Sequence, residues 1–314
     1  MRRARSPLLA PLAAVLGLGL AACGGSAGDA GGDPATDKLA QIQARGTLVG
    51  FYEPDYPPQS IVVEGATRPA DTKCASDQLT GAEVTGYDVE VTKLVAENLG
   101  VEPCFVAPQW SDVTAGNWGD RWDIAYGSGA ITTDRMERLY MTQPYVTSAN
   151  RYFVRKDSPF RQPSDLDGRK IGVCATCSQE AYLKGELVIP GTDVVVDVTS
   201  PSIVVFEVEV PGLEALEKGT IDAYLAGDQV GQAAIDEGSE LRALDAVAFT
   251  EYLSGFVDQS SGLAAAAFVE KVDAAIRGLH EDGTLKTLSQ RWFKTDYATP
   301  AADFDVGALG QDVT

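Results

Sequence analysis

Between Thr47 and Phe293, short apolar runs alternate with stretches of helical spacing, and that alternation bounds the fold. TLVGFY (47–52), EPCFVA (102–107), WDIAYGS (122–128), RYFVRK (151–156) and KIGVCA (170–175) read as strands. In DVEVTKLVAENLG (88–100), Val91, Leu94, Val95 and Leu99 recur at helical spacing, and Gly100 is a natural stop. PGLEALEKG (211–219) is a second helix ending in glycine, and IDAYLAG after it reads as a buried strand. Near the C-terminus, Phe268, Val272, Ile276 and Leu279 form one stripe, with Leu285, Leu288 and Trp292 on another. Alternating β and α units predict an α/β architecture with mostly parallel sheets. There is no evident internal repeat, and the pattern by itself names no ligand.

The chain opens MRRARS, an apolar run PLLAPLAAVLGLGL follows, and LAAC occupies residues 20–23. A basic start, a short apolar stretch and small residues are the parts of an export signal. The run is too short and too rich in Gly and Ala for a membrane-spanning anchor. LAAC resembles the lipobox of bacterial lipoproteins. That resemblance implies a signal peptide over residues 1–22 and lipidation of Cys23, palmitate included. Cys23 would then anchor the chain to the extracytoplasmic side of the cell membrane. The polar, small-residue stretch that follows predicts a flexible tether over 23–38. Removing Arg2, Arg3 and Arg5 with the signal takes the formal charge from −20 to −23. So acidic a chain repels phosphate backbones, which excludes nucleic acid as a partner.

With Cys23 lipidated, Cys74, Cys104, Cys174 and Cys177 remain. An exported chain with an even number of cysteines favours disulfides. Cys-x-x-Cys at 174–177 could serve redox chemistry, a metal or a staple. Zinc is disfavoured because the single histidine, His280, lies about a hundred residues away in a polar stretch that predicts a solvated side chain. A thioredoxin-like role would need the motif near the start of a small domain. A Cys174–Cys177 staple is therefore expected, which leaves Cys74 to pair with Cys104. Neither a metal nor another cofactor is expected.

Several segments, in order, resemble the family 3 solute-binding proteins of bacterial ABC importers. They are YPP (56–58), TGYDVEVTKLVAENLG (85–100), WDIAYGSGAITTDRMERLYMTQPY (122–145), GVCATCSQEAYL (172–183), EKGTIDAYLAGD (217–228) and EDGTLKTLSQRWF (281–293). The resemblance implies a two-lobed, type II periplasmic-binding-protein-like fold with two hinge crossings and a ligand cleft between the lobes. Lobe one would comprise 39–146 and 251–298, lobe two 147–250, and a tail 299–314. It further implies a monomer that captures a polar amino acid and delivers it to ABC permease subunits.

The resemblance also assigns residues. Arg135 matches the family's carboxylate-binding arginine, and a guanidinium fork suits a carboxylate. On the residues alone, an arginine at a helix start is more often solvated. Thr176-x-x-Gln179 has capping-box spacing, so a helix is expected there, with free N–H groups suited to an anion. Ser178 falls at a family threonine that contacts the carboxylate. Thr176 and Cys177 replace the family's usual Gly-Thr, so Thr176 lacks glycine's backbone freedom. Ser128 and Ala130 match positions that meet the ligand, Ala130 through its backbone only. Tyr56 and Tyr87 match an aromatic pair that sandwiches the ligand's side chain, with half-buried packing as the plainer role. Glu53, Asp55 and Asp88 nearby favour a basic or neutral polar ligand. The family's ammonium acceptor falls at Gly227, so Asp228 is expected to serve, with Glu251 as the other available acid. No nucleophile–base pair is visible, so no enzymatic activity is expected. The alternatives are a cyclohexadienyl-dehydratase-like enzyme on the same fold and a ligand-sensing ectodomain.

Overall fold

The helix Lys38–Arg45 ends at Gly46 and leads directly into the strand Thr47–Phe51, in a computed structural model that describes residues 32–54 and 56–313. The export signal, Cys23 and the tether up to residue 31 lie outside the described residues, as does Asp55. Asp37 and Lys38, read from the sequence as tether, begin the folded part. The Asp37 carboxylate caps the helix by accepting from the Ala40 N–H, and Lys38 is buried against Asp123.

In the first lobe, Thr47–Phe51 runs parallel to Glu102–Val106, whose other edge takes Leu79–Thr80 antiparallel. The helix Tyr87–Leu99 presents Val91 and Val95 to one side of this sheet. They meet Phe268, Val272, Ile276 and Leu288 from the C-terminal helices Ala266–Glu281 and Thr284–Phe293. Each such buried side chain contributes about 1.5–3 kcal/mol, so the C-terminus is needed to complete a lobe begun two hundred residues earlier. A second cluster, with Trp118, Trp122 and Phe256, fills the other side. Cys74 and Cys104 form a disulfide with Cα atoms 5.5 Å apart, tying the loop after Ile61–Val62 to the strand Glu102–Val106.

The ten-residue strand Val146–Arg155 leaves the first lobe and becomes the spine of the second. Its first half pairs antiparallel with the returning strand Phe249–Leu253, Val146 opposite Leu253 and Asn150 opposite Phe249. These two segments are the hinge crossings. Its second half joins a sheet ordered Leu241–Ala243, Val146–Arg155, Ala223–Gly227, Lys170–Cys174, Ser202–Phe206. Apolar clusters lie on both faces of that sheet, one around Tyr152, Ile171 and Leu225, the other around Phe153, Leu216 and Tyr224.

Two expectations change. The sheets are mixed rather than mostly parallel, because both crossings run antiparallel and Val146–Arg155 takes antiparallel partners only. WDIAYGS is extended and buried but is not a regular strand. Ile124 bridges to Gly50 and the next residue, Ala125, to Phe256, so the segment changes partner before a ladder can form. The last described residues, 299–313, pack on the first lobe and its crossing strand. Phe304 packs on Tyr252 with ring centres 4.3 Å apart, and the Gln311 side chain bonds both backbone groups of Met141.

Candidate functional site

Between the lobes lies a cavity of about 40 Å³, lined from the first lobe by Glu53, Tyr56, Trp110, Gly127, Ser128 and Arg135. The second lobe contributes Cys174, Cys177, Ser178, Gln179, Glu207, Val208 and Glu209. At roughly 10–15 Å³ of such space per water, about three waters fit. The lobes meet beside it through three hydrogen bonds. The Thr133 N–H donates to the Val188 carbonyl at 3.1 Å, Arg135 Nη2 to the Thr176 carbonyl at 3.0 Å, and the Thr114 and Thr176 hydroxyls lie 3.2 Å apart.

Arg135 is held in place before any solute is considered. Thr132 caps the short helix Thr133–Met136, which fixes the backbone that carries it. Its Nη1 donates to the Ala130 carbonyl at 3.0 Å, and its guanidinium lies 5.5 Å from the Trp110 ring centre and 5.6 Å from that of Phe256. Burial lowers its pKa to about 10, with Glu251 the main opposing influence. Ala130 thus acts through its backbone, by steadying the arginine.

The loop after Lys170–Cys174 carries a disulfide between Cys174 and Cys177, Cα atoms 5.6 Å apart. The helix there is Ser178–Lys184 with Cys177 at its N-cap, one residue later than the Thr176 N-cap of the expected capping box. Gln179 turns inward to Asn150, and Glu180 reaches back to accept from the Thr176 N–H at 2.7 Å. Thr176 adopts a left-handed φ of 57° that glycine would take freely. The flanking disulfide and the Arg135 bond to its carbonyl hold it there. Ser178 donates to Glu251 at 2.6 Å. Ser128, also left-handed at φ 53°, donates its hydroxyl to Asp88 at 3.0 Å, and Tyr145 donates to the same carboxylate at 2.7 Å.

Two expected ligand residues lie elsewhere. Tyr87 is fully buried in the first lobe's core, stacked on Tyr145 and against Phe293, because it opens the helix Tyr87–Leu99 on its inward side. Its place in the cavity wall is taken by Trp110, which stands with Tyr56. Asp228 does not line the cavity and pairs with Arg151 at 2.9 Å. His280 is half-buried and bonded to the Pro144 carbonyl at 2.9 Å rather than solvated, and it does not line the cavity.

Carboxylates dominate the electrostatics. Burial, then Asp88, pushes Glu53 up to about 7, and burial raises Asp88 itself to about 7. Burial, then Glu53 and Glu251, pushes Glu209 up to about 8. Burial also raises Glu251, against the Ser178 hydrogen bond. Glu209 escaped sequence analysis because the helix Glu209–Glu217 begins two residues before PGLEALEKG. Pro211 is tolerated within the first turn, and an acid favours that turn.

A family model described as bacterial extracellular solute-binding proteins, family 3, matches residues 48–295. The chain belongs to this family. This solute-binding protein is 25% identical to the L-cystine-binding protein TcyJ of Escherichia coli over 260 residues, 82% of this chain and 86% of that one. Among solved structures, Tv2483 bound to L-arginine matches with TM-score 0.67 and 22% identity, over 87% of this chain and 99% of that one. The ancestral amino acid-binding protein AncCDT-1, a precursor of cyclohexadienyl dehydratase, matches with TM-score 0.66 and 22% identity, over 82% and 100%. These neighbours share the type II fold, and the curated relative is named for binding.

Proposed function

We propose that this solute-binding protein captures a polar amino acid in its interlobe cavity and hands it to the permease of an ABC importer. The observation that carries this is the cavity itself. It lies between lobes joined by two crossing strands, with the pinned Arg135 and Glu53 on one wall and Ser178 and the buried Glu209 on the other. An amino acid's carboxylate would meet Arg135 and Ser178, and its ammonium an acid such as Glu251. The relatives' named ligands support an amino acid. In this proposal the chain works as a monomer and not as an enzyme. It is lipidated at Cys23 and held outside the cytoplasmic membrane by its tether.

Ligand at a hundred times its dissociation constant stabilises the folded state by about 2.7 kcal/mol. For a chain of this size, melting should rise by roughly 5–10 °C. The check is a melting screen of the twenty amino acids and L-cystine, with Arg135→Ala as control. The expected result is a shift with a polar amino acid that Arg135→Ala abolishes, with the ligand-free melting point little changed. No shift with any compound at millimolar concentration would refute the proposal.

A further inference from the structure

Glu209 is 7% exposed, and one of its oxygens has no hydrogen-bond partner. The other meets only the Cys174 sulfur at 3.7 Å, and a disulfide sulfur carries no proton to donate. The nearby Tyr224 hydroxyl and the Trp110 indole N–H are likewise buried without partners. Glu53 faces the same cavity from the opposite lobe. Glu53, Glu207 and Glu209 line a space whose one lining cation is Arg135, and Asp88 and Glu251 stand behind Ser128 and Ser178. Fully ionised, these five carboxylates outnumber it by four.

A zwitterion does not change that sum, since its carboxylate and ammonium cancel. An isolated buried carboxylate is costly to leave charged, so it takes a proton or a cation. The chain by itself takes protons, as the raised values of Glu53 and Glu209 indicate. A solute bringing a positive group deep into the cavity would replace them.

We infer that Glu53 and Glu209 form a seat for a cationic group on the ligand's side chain, so that the solute class is amino acids with a basic side chain. This rests on the amino-acid capture proposed above and names its substrate class. The Trp110 and Tyr56 rings fit the same occupant, since a guanidinium or ammonium is attracted to an aromatic face.

The test is calorimetric titration with pairs matched in shape and differing in charge: L-arginine against L-citrulline, and L-lysine against L-norleucine. Agmatine, which keeps the guanidinium and lacks the carboxylate, is the third probe. The charged member of each pair should bind at least about thirtyfold more tightly, the lower end for truncating one partner of a buried charge pair. Glu209→Gln should remove most of that preference, and Glu53→Gln, in the other lobe, should do so if the first variant folds poorly. Equal or tighter binding of the neutral members, or tightest binding of L-cystine with no basic ligand bound, would overturn the cationic seat while leaving amino-acid capture intact. Binding of agmatine with no amino acid bound would keep the seat and overturn the capture of amino acids. No binding by any probe would overturn both.

Discussion

Two places in this molecule bury a carboxylate, and they treat the charge in opposite ways. At the base of the first lobe, Asp123 is buried between Lys38, 2.8 Å away, and Arg45, and it accepts from the Val49 N–H at 2.8 Å. Val49 lies opposite Cys104, half of the Cys74–Cys104 bridge. In the cleft, Glu209 lies beside Cys174 with no cation and no donor. A paired charge is part of the scaffold. An unpaired one, kept at a cost in stability, marks where something else is meant to bind.

The sharpest way to break this contrast is to remove each carboxylate. Asp123→Ala removes the buried carboxylate shared by Lys38 and Arg45, leaving Lys38 only the more exposed Asp120 and Gln41, and should lower unfolding free energy by about 3 kcal/mol, the lower end for breaking a buried pair. Glu209→Gln should leave the ligand-free protein as stable or more so. Urea denaturation at pH 7.5 measures both, and a comparable loss in the two variants would erase the distinction.

The disulfides extend the comparison at smaller scale. Loop-closure entropy gives about 3.7 kcal/mol for Cys74–Cys104, closing some thirty residues, and about 1.9 kcal/mol for Cys174–Cys177. Replacing both cysteines of the first pair by serine should therefore cost more stability and little affinity. Replacing the second pair should cost less stability but weaken binding disproportionately, because Thr176 then keeps only the Arg135 and Glu180 bonds to hold its left-handed backbone. Unchanged ligand affinity in the second variant would detach that bridge from the site.

The response to acid reads the same contrast through protons. In the cleft, Glu53, Asp88, Glu209 and Glu251 face one another with Arg135, Tyr56, Tyr224 and the exposed Glu207 around them. The first three hold protons to about 7, 7 and 8, whereas the unfolded chain releases them near about 4. The folded state thus binds more protons between about pH 4 and 8, so its stability should fall as pH rises through that window. Each extra bound proton contributes on the order of 1.4 kcal/mol per pH unit. Asp273, raised to about 6 by burial, adds to this, whereas His280, lowered by burial, opposes it. Melting points from pH 5 to 8 should decline without ligand, and Glu209→Gln should flatten the slope. A rising curve would mean the cleft acids are already compensated.

How much of this was legible in the sequence depended on how local each determinant is. The helix Tyr87–Leu99, the glycine stop at Gly100 and the C-terminal stripes follow from spacing within a dozen residues. Arg135, Ser128, Ser178 and Tyr56 sit in motifs whose own turns aim them at the cavity. Tyr87 failed because one residue of helical rotation separates a cleft-facing ring from a core one. Asp228 failed because its partner, Arg151, is 77 residues away on a neighbouring strand. Trp110 and Glu209 acquire their roles only when two lobes close on them, and no window of sequence contains both walls.

The three hydrogen bonds that clasp the lobes beside the cavity, with the Lys294–Asp236 pair as a further interlobe link, have a kinetic meaning beyond holding them together. A space for about three waters cannot admit an amino acid, so loading and unloading must pass through a parted form. The clasp therefore sets the fraction of time the door stands open, and apparent affinity is weakened in proportion to that fraction. Thr114, Thr133 and Thr176, none of which need touch the solute, are thus placed to tune how quickly cargo is exchanged.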